Sequence, residues 1–406
     1  MKILVTDGDS RAALAITRSL GRSGHEIIVG SKRTHSLAGA SRFCGAQVRY
    51  PDPDSCGLAF MDFIAAYVAQ EQVEVLLPVT DITTLIIGTS RHRIPEGCSL
   101  PFPDIDTVRA AADKDATMAL ARRLGVDIPQ SAIIEAPADA ITDAGRLGHG
   151  LGFPLVIKPF RSRIDTGTGW IYTAVSYAHD ESELARILGD LDPLAFPVML
   201  QEKIIGPGIG IFICAHQGKV LAAFSHRRLR EKPPSGGVSV LRESIALDPL
   251  ALDFSERLLR ELGWTGVAMV EFKQDRRDGR PKLMEINGRF WGSLQLAIDA
   301  GVDFPRLLID SLTRPHMQPV FDYRTGVRTR WLWGDIDALL LRLFKPEESL
   351  DLPPGFPSRG RYLAEFIKSF NPATRLEIEQ LTDLRPALHE SVQWFRNLLR
   401  TLLPPA

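Results

Sequence analysis

The sequence predicts an α/β protein of two or three domains, and three observations support this. Its 406 residues exceed the length of one ordinary domain. Its start alternates strand, helix and strand, with apolar strands at residues 2–6 and 26–30 around an amphipathic helix at 11–20 that is closed by Gly21. Later strands are joined by turn sequences such as Asp278-Gly279, which is typical of an antiparallel hairpin and adds an α+β part.

Composition and charge exclude several classes of protein. A hydrophobic content of 45% and a charged content of 24% are ordinary for a globular protein. The net charge of -1 gives no electrostatic reason to expect nucleic acid or an acidic membrane as a partner. The four cysteines lie far apart without metal-binding spacing, which indicates buried or free thiols in a reducing compartment. Without a recognisable signal peptide or membrane span, we expect a cytoplasmic protein.

The N-terminal pattern predicts a Rossmann-like domain whose role is structural. Only Gly8 is present where a dinucleotide site needs three glycines, so a nicotinamide-dependent oxidoreductase is disfavoured. The strand at residues 75–79 leads into Thr80 and Asp81, polar groups at the sheet edge where open α/β sheets bind ligands. The proline-rich stretch 95–103 predicts a connection between domains.

The clearest site signal is the hairpin formed by residues 266–272 and 283–289. A turn near Asp278 brings Glu271 opposite Glu285, and Asn287 points to the same face. Facing carboxylates repel each other, and hard oxygen ligands favour Mg²⁺ shared with nucleotide phosphates. The alternative is a solvated hairpin, which the adjoining aromatic residues disfavour.

Two basic features lie between the N-terminal domain and this hairpin. Lys158 ends an apolar strand, where a partly desolvated ammonium needs an anionic partner. The segment from Arg161 to Gly169 is basic and rich in glycine and hydroxyl groups, which fits either a lid over phosphates or a hairpin tip. Lys114 lies within a helix expected at residues 107–124.

A cluster of basic residues follows a strand expected at residues 219–225. Its residues are Arg227, Arg228 and Arg230, followed by the loop residues Ser235, Gly236 and Gly237. A basic cluster is usually a solvated face. Because this one ends a strand and precedes a glycine loop, we expect it to bind an anionic substrate.

The order of these motifs resembles the ATP-grasp superfamily and, within it, carboxylate–amine ligases related to carbamoyl-phosphate synthase large subunits. The resemblance covers about residues 1–312. The motifs that carry it are Lys114, Lys158-Pro159, Gln201-Glu202-Lys203-Ile204, Glu271 and Glu285-x-Asn287.

The resemblance implies three parts of the chain. Residues 1–103 would form the pre-ATP-grasp domain, and residues 104–312 the ATP-grasp domain. The latter would divide into a lid subdomain at about 125–205 and a metal-binding subdomain at about 206–312. Beyond the resemblance, residues 313–406 are predicted to form a mainly helical extension, with helices near residues 375–381 and 388–403. We see no chemistry in it and expect a contact with a second copy or a partner enzyme.

The resemblance also implies roles for single residues. ATP would lie between two antiparallel sheets, with Lys114 and Lys158 on its phosphates. Glu202 would accept from the adenine amino group, beside Gln201 and the backbone of Lys203 and Ile204. Glu271, Glu285 and Asn287 would hold two Mg²⁺ ions, which Mn²⁺ could replace. Arg289 would face the transferred phosphoryl group.

The family chemistry converts a small carboxylate into an acyl phosphate, which an amine attacks to give an amide, ADP and phosphate. Two departures are notable: Gly208-Ile209-Gly210 stands where several relatives have an acidic ribose ligand, and the lid carries arginines. Arg161 is therefore expected on the phosphates, which leaves Arg227, Arg228 and Arg230 for the substrate. The alternative is a non-catalytic ATP-binding regulator or scaffold. A biotin-dependent carboxylase is disfavoured because no Met-Lys-Met carrier segment is found.

Overall fold

The computed structural model combines helices with three sheets and a separate two-stranded hairpin. The residues that it describes are 1–142, 144–161, 163–166, 170–314, 317–350, 352 and 355–402. Within those ranges no helix combines the length and hydrophobicity that crossing a membrane requires. The predicted α/β class is confirmed.

The first sheet is parallel, with the strand order β3-β2-β1-β4. Its strands are β1 (Lys2–Val5), β2 (Glu26–Ser31), β3 (Ala46–Arg49) and β4 (Val75–Leu77), and its helices are α1 (Arg11–Arg22), α2 (Gly57–Glu71) and α3 (Asp81–Thr89). Ser10 starts α1 by accepting a hydrogen bond from the amide of Ala13 (3.1 Å). The predicted Rossmann-like sheet is confirmed, although α1 runs past Gly21, where it was expected to stop.

The helix expected at residues 107–124 is two helices. They are α4 (Ile105–Ala112) and α5 (Lys114–Arg123). Asp113 separates them because its extended backbone leaves the first helix and its carboxylate caps the second, accepting from the amides of Asp115 (3.0 Å) and Ala116 (3.1 Å). Lys114 therefore stands at the first position of α5, and its own amide donates to the carbonyl of Phe160 (3.1 Å).

The second sheet is antiparallel, with the order β5-β10-β6-β9. The strands of this region are β5 (Ser131–Ile134), β6 (Leu155–Pro159), β7 (Arg163–Asp165), β8 (Trp170–Tyr172), β9 (Ser176–Ala178) and β10 (Val198–Glu202). Helices α6 (Pro137–Thr142), α7 (Ala144–Leu151) and α8 (Glu181–Asp190) complete it. Among the described residues, β7 pairs with β8 alone, as a hairpin. Of the expected lid segment, Ser162 and residues 167–169 lie outside the described residues.

The third sheet is the largest, with the order β15-β14-β11-β12-β13-β16-β17. Its first strands are β11 (Gly208–His216), β12 (Lys219–Lys232), β13 (Val238–Ile245), β14 (Gly266–Gln274) and β15 (Pro281–Asn287), with helices α9 (Pro249–Glu261), α10 (Leu294–Ala300) and α11 (Phe304–Thr313). The strand expected to end at residue 225 continues through the basic cluster to Lys232, so the arginines are strand residues.

The C-terminal segment adds helices and two strands. They are β16 (Arg328–Arg330), α12 (Leu332–Phe344), α13 (Arg359–Lys368), β17 (Thr374–Leu376) and α14 (Arg385–Leu402). The mainly helical character is confirmed, but the helix expected at residues 375–381 is wrong, because this stretch begins with β17, which pairs in parallel with β16. The tail therefore completes the large sheet instead of only covering it.

Buried ion pairs tie this tail to the body. The Arg18 Nε of α1 donates to Asp383 Oδ2 (2.8 Å), and the two side chains are 1% and 0% exposed. Arg18 also donates to the carbonyls of Glu377 (3.1 Å) and Ile378 (2.8 Å). A buried guanidinium needs such partners, so α1 depends on residues at the far end of the chain.

Replacing Asp383 with asparagine is expected to lower the free energy of unfolding by about 3–5 kcal/mol, because it leaves the buried guanidinium of Arg18 uncompensated. Urea denaturation measures the change. The matched control is Glu71→Gln, which breaks the partly exposed pair with Lys2 (3.5 Å) and should cost less than about 1 kcal/mol. Equal, small changes in both variants would contradict the role given to Asp383.

Candidate active site

Two glutamates face each other on the β14–β15 hairpin. Glu271 pairs in register with Glu285, as the sequence predicts, with a bulge between Glu271 and the next residue. Asn287 lies two positions further along β15, and its Nδ2 donates to Glu285 Oε1 (2.9 Å). The turn that sets this register contains Gly279, whose positive φ of 70° favours glycine. The predicted cluster of two carboxylates and an amide is therefore present.

The electrostatics of this cluster call for a cation. Burial, and then the charge of Glu285, raise the pKa of Glu271 to about 7. Within the described ranges no group of three or more His, Cys, Asp or Glu side chains is arranged to hold a metal unaided. Two carboxylates and one amide oxygen nevertheless fit an ion whose remaining ligands come from a bound phosphate.

Two arginines lie beside the cluster. Arg228 of β12 places Nη2 at 3.2 Å from Glu271 Oε1 and Nη1 at 3.0 Å from Glu231 Oε1. Arg289, two residues after Asn287, places Nε at 2.9 Å from Asp81 Oδ1. The cluster is therefore bordered by positive charge that could meet an anionic substrate.

Two buried lysines lie across from the glutamates. Lys158 of β6 donates from Nζ to Gln201 Oε1 (2.7 Å), and its Nζ lies 4.0 Å from the sulfur of Met284 on β15. The second and third sheets therefore face each other here. Burial lowers the pKa of Lys158 to about 8. Burial also lowers the pKa of Lys114, against the opposing charge of Glu285.

The predicted adenine hinge is partly occupied by contacts within the chain. Glu202 Oε1 accepts from the amide of Gln130 (2.9 Å), and Glu202 Oε2 pairs with Arg277 Nη2 (2.9 Å). Lys203 Nζ lies 4.8 Å above the ring of Tyr177. An adenine contact by the Glu202 carboxylate would compete with Arg277, and it stays a prediction.

The basic cluster of β12 divides between different partners. Arg227 pairs through Nε with Glu243 Oε2 (2.8 Å), whereas Arg230 forms a buried pair with Asp335 (Nη2 to Oδ2, 2.6 Å). Both guanidiniums have carboxylate partners in the chain, and a role for Arg227 and Arg230 in substrate binding stays a prediction. Arg228 is the member of the three that reaches the glutamates.

The remaining predicted residues lie at the edges of this site. Ser235, Gly236 and Gly237 form the exposed tip between β12 and β13, where the carbonyl of Gly237 is 3.5 Å from Arg228 Nη1. Arg161 is exposed and lies 3.5 Å from Asp113, the cap of α5. Its proposed phosphate contact stays a prediction.

Sequence reasoning missed two residues of this site. Asp81 was noted only as a polar group at a strand end, although it pairs with Arg289. Lys273 lies two residues after Glu271 on β14 and donates to the carbonyl of Ile204 (3.4 Å) in the hinge. Because residues two apart on a strand lie on the same face, the spacing from Glu271 could have predicted that Lys273 lies on the face of the site.

Comparison with known proteins finds a matching family model and similar sequences. Residues 195–334 match the family model described as ATP-grasp in the biosynthetic pathway with Ter operon. The carbamoyl phosphate synthase large chain from a strain of Thermus thermophilus is 22% identical over 272 residues, which are 62% of this chain and 25% of the relative. That of a Thermotoga species is 21% identical over 365 residues, 84% of this chain and 31% of the relative. The chain thus spans about a quarter to a third of these relatives.

Solved structures agree on the architecture. The L-amino acid ligase from Bacillus licheniformis has a TM-score of 0.57 at 18% identity, covering 76% of this chain and 73% of that one. The biotin carboxylase from Campylobacter jejuni has a TM-score of 0.63 at 14% identity, covering 80% and 74%. The biotin carboxylase domain of the Hydrogenobacter thermophilus 2-oxoglutarate carboxylase has a TM-score of 0.62 at 15% identity, covering 80% and 73%.

The chain has the ATP-grasp fold, as predicted from its motifs. In sequence it resembles the large chains of carbamoyl phosphate synthase, which confirms the resemblance seen in the motifs.

Proposed function

We propose that this protein is an ATP-dependent carboxylate–amine ligase, which forms an amide or peptide-like bond through an acyl phosphate and releases ADP and phosphate. The observation that carries the proposal is the facing pair Glu271 and Glu285 with Asn287, near buried Lys158 and in contact with Arg228. The similarity to ATP-grasp ligases and carboxylases supports it.

ATP is proposed to bind between the second and third sheets. The Campylobacter structure is described as a complex with β,γ-ATP, and the Hydrogenobacter structure as a complex with MgADP and bicarbonate. In this chain Lys114 and Lys158 would meet the phosphates, because both are buried and both interact electrostatically with Glu285. The adenine edge would lie at the backbone of Lys203 and Ile204, next to Gln201.

Mg²⁺ is the metal that the acidic cluster fits. Glu271, Glu285 and Asn287 would hold it, and two ions or replacement by Mn²⁺ stay predictions. When bound, Mg²⁺ neutralises charge on the phosphates and helps to align them. The chain itself relieves the repulsion of the facing carboxylates on one side, because Arg228 lies 3.2 Å from Glu271.

The proposed reaction has two steps. A carboxylate oxygen of the first substrate forms a bond to the γ-phosphorus of ATP while the bond to ADP breaks. The nitrogen of the amine then attacks the acyl carbon, phosphate leaves, and the nitrogen gives up a proton. Arg289 would face the transferred phosphoryl group, and Arg228 the substrate carboxylate, since Arg228 is the β12 arginine whose guanidinium contacts Glu271 of the acidic cluster. The chain supplies position and charge, not a nucleophile.

Replacing Arg228 with glutamine is expected to lower kcat/KM for the carboxylate about 100-fold, because a charged contact beside the glutamates is lost. The matched control is Arg227→Gln, one residue along the same strand, whose partner Glu243 also pairs with Arg328 (2.7 Å). The control should change kcat/KM less than about threefold. Steady-state measurement of ADP release gives both values, and similar losses in both variants would refute the distinction.

The function is tested by phosphorus NMR of the protein with ATP and Mg²⁺, given pooled amino acids and small carboxylates. ADP and phosphate that appear only with a pool support the ligase, and dividing the pool identifies the substrates. AMP and pyrophosphate would contradict the acyl-phosphate mechanism. ATP that binds without turnover in every pool would favour the alternative, an ATP-binding regulator or scaffold.

The small-molecule substrates are the expected partners. Contact with a second copy or a partner enzyme through residues 313–406 stays a prediction. The tail offers a surface for it, because Leu388, Phe395 and Leu399 of α14 are 68%, 52% and 55% exposed.

A further inference from the structure

One ion pair joins the N-terminal sheet to the acidic hairpin. Asp81 is the first residue of α3, directly after the parallel sheet, and its Oδ1 lies 2.9 Å from the Nε of Arg289. Arg289 follows β15 by two residues, next to Asn287. The pair therefore connects the N-terminal sheet to the reacting end of the proposed site.

The position of Asp81 is fixed by the residues around it. Thr80 and Thr83 form a reciprocal capping box at the start of α3. Behind this box lies Asp7, whose Oδ2 accepts from the amide of Thr80 (3.1 Å), the amide of Val79 (3.2 Å) and the hydroxyl of Thr83 (2.7 Å). This network thus holds the start of α3, and with it the Asp81 carboxylate, against Arg289.

The contact with Asp81 determines how Arg289 presents its donors. Nε faces Asp81, Nη1 donates to the carbonyl of Phe290 (3.0 Å), and Nη2 lies 3.5 Å from Asn287 Oδ1. A guanidinium has five N–H groups, so each terminal nitrogen keeps one N–H beyond these contacts with described residues. Two such donors form a fork that matches a carboxylate or phosphoryl group.

We propose that Asp81 is a positioning residue, which holds Arg289 at Nε so that the remaining N–H groups of Arg289 face the transferred phosphoryl group. This inference rests on the proposed function. Asp81 touches neither substrate nor ATP in this scheme and acts through Arg289. The N-terminal domain thereby takes part in the chemical step as well as in the fold.

The first test uses Asp81→Asn, which keeps the size of the side chain and removes its charge. We expect kcat/KM for the carboxylate to fall about 10–100-fold, as for other outer partners of active-site groups. KM for ATP and the thermal midpoint should change little. Asp81→Glu should recover part of the loss. The matched control is Asp106→Asn, an exposed carboxylate on α4 that is paired with Arg109 (3.8 Å).

A raised KM for ATP together with a lower thermal midpoint would mean that Asp81 only stabilises the fold. Unchanged kinetics in Asp81→Asn would also overturn the proposal.

A second readout needs no turnover. In protein labelled with ¹⁵N-arginine, the Nε–H signal lost in Arg289→Lys identifies Arg289. This signal should exchange slowly with water and should exchange at least tenfold faster in Asp81→Asn. An unchanged exchange rate of the Arg289 Nε–H in Asp81→Asn would contradict the contact between Asp81 and Arg289. If the unaltered protein shows no ligase activity in any pool but its Arg289 Nε–H exchanges slowly, the proposed function is refuted and the contact between Asp81 and Arg289 stands. The positioning role of Asp81 would then be refuted together with the function.

Discussion

Replacing Glu285 with glutamine is expected to lower kcat on the order of 10³-fold, with the nucleotide still bound. The substitution removes one of two facing carboxylates, and charge neutralisation by a bound metal is worth several kcal/mol in a phosphoryl transfer. Initial rates of ADP release at saturating ATP and Mg²⁺ measure the loss. A regulator without turnover would show a change in nucleotide affinity alone.

The same variant should not lose stability, which separates this loss of activity from misfolding. Burial and the neighbouring Glu285 raise the pKa of Glu271, so removing one charge relieves repulsion. We expect the free energy of unfolding without metal to rise by about 1 kcal/mol, as when other functional charges are removed. The matched control is Glu261→Gln on α9, whose exposed carboxylate pairs with Arg123 (2.8 Å). If Glu261→Gln lost as much activity as Glu285→Gln, the role given to Glu285 would be contradicted.

Replacing Lys158 with methionine is expected to weaken ATP binding about 10–100-fold, because a charged hydrogen bond to phosphate contributes about 1.5–3 kcal/mol. Methionine keeps an unbranched apolar chain at this buried position, so the packing beside Met284 should survive. Isothermal titration with ATP measures the affinity. The matched control is Lys219→Met at the exposed start of β12, which should bind ATP as the unaltered protein does.

The pH dependence of binding gives a second measurement of Lys158. Burial lowers its pKa to about 8, so the ammonium that attracts phosphate is present below that pH and is lost above it. ATP affinity should therefore fall as pH rises through 8, approaching a tenfold loss per pH unit. Lys158→Met should not show this fall. An identical pH profile in both proteins would exclude the lysine as the phosphate ligand.

Local patterns predicted the centre of the site well. The Asp278-Gly279 turn and the two-residue alternation of strands fixed the pairing of Glu271 with Glu285, because both signals lie within one hairpin. The motif order predicted the fold. The position of Lys158 near the end of a short apolar strand likewise predicted a buried lysine that needs an anionic partner.

Long-range partners could not be read from the sequence. Arg230 is neutralised by Asp335, 105 residues away, and the register of β12 shifts on either side of Arg230, so alternation did not show which arginines share a face. The short strand β17 was mistaken for a helix because it is defined by its pairing with β16, more than forty residues earlier. The ion pair between Asp81 and Arg289 joins residues that follow strands of two different sheets, so no short sequence pattern predicts it.

The pairing of Arg18 with Asp383 has a consequence for the biosynthesis of the protein. The two residues are 365 positions apart, so a ribosome must deliver the chain as far as Asp383 before α1 can bury the Arg18 guanidinium favourably. The nascent N-terminal region is therefore expected to wait in a partly packed state and to depend on chaperones when translation is slow. The large sheet can be completed only after β17, its edge strand, has emerged.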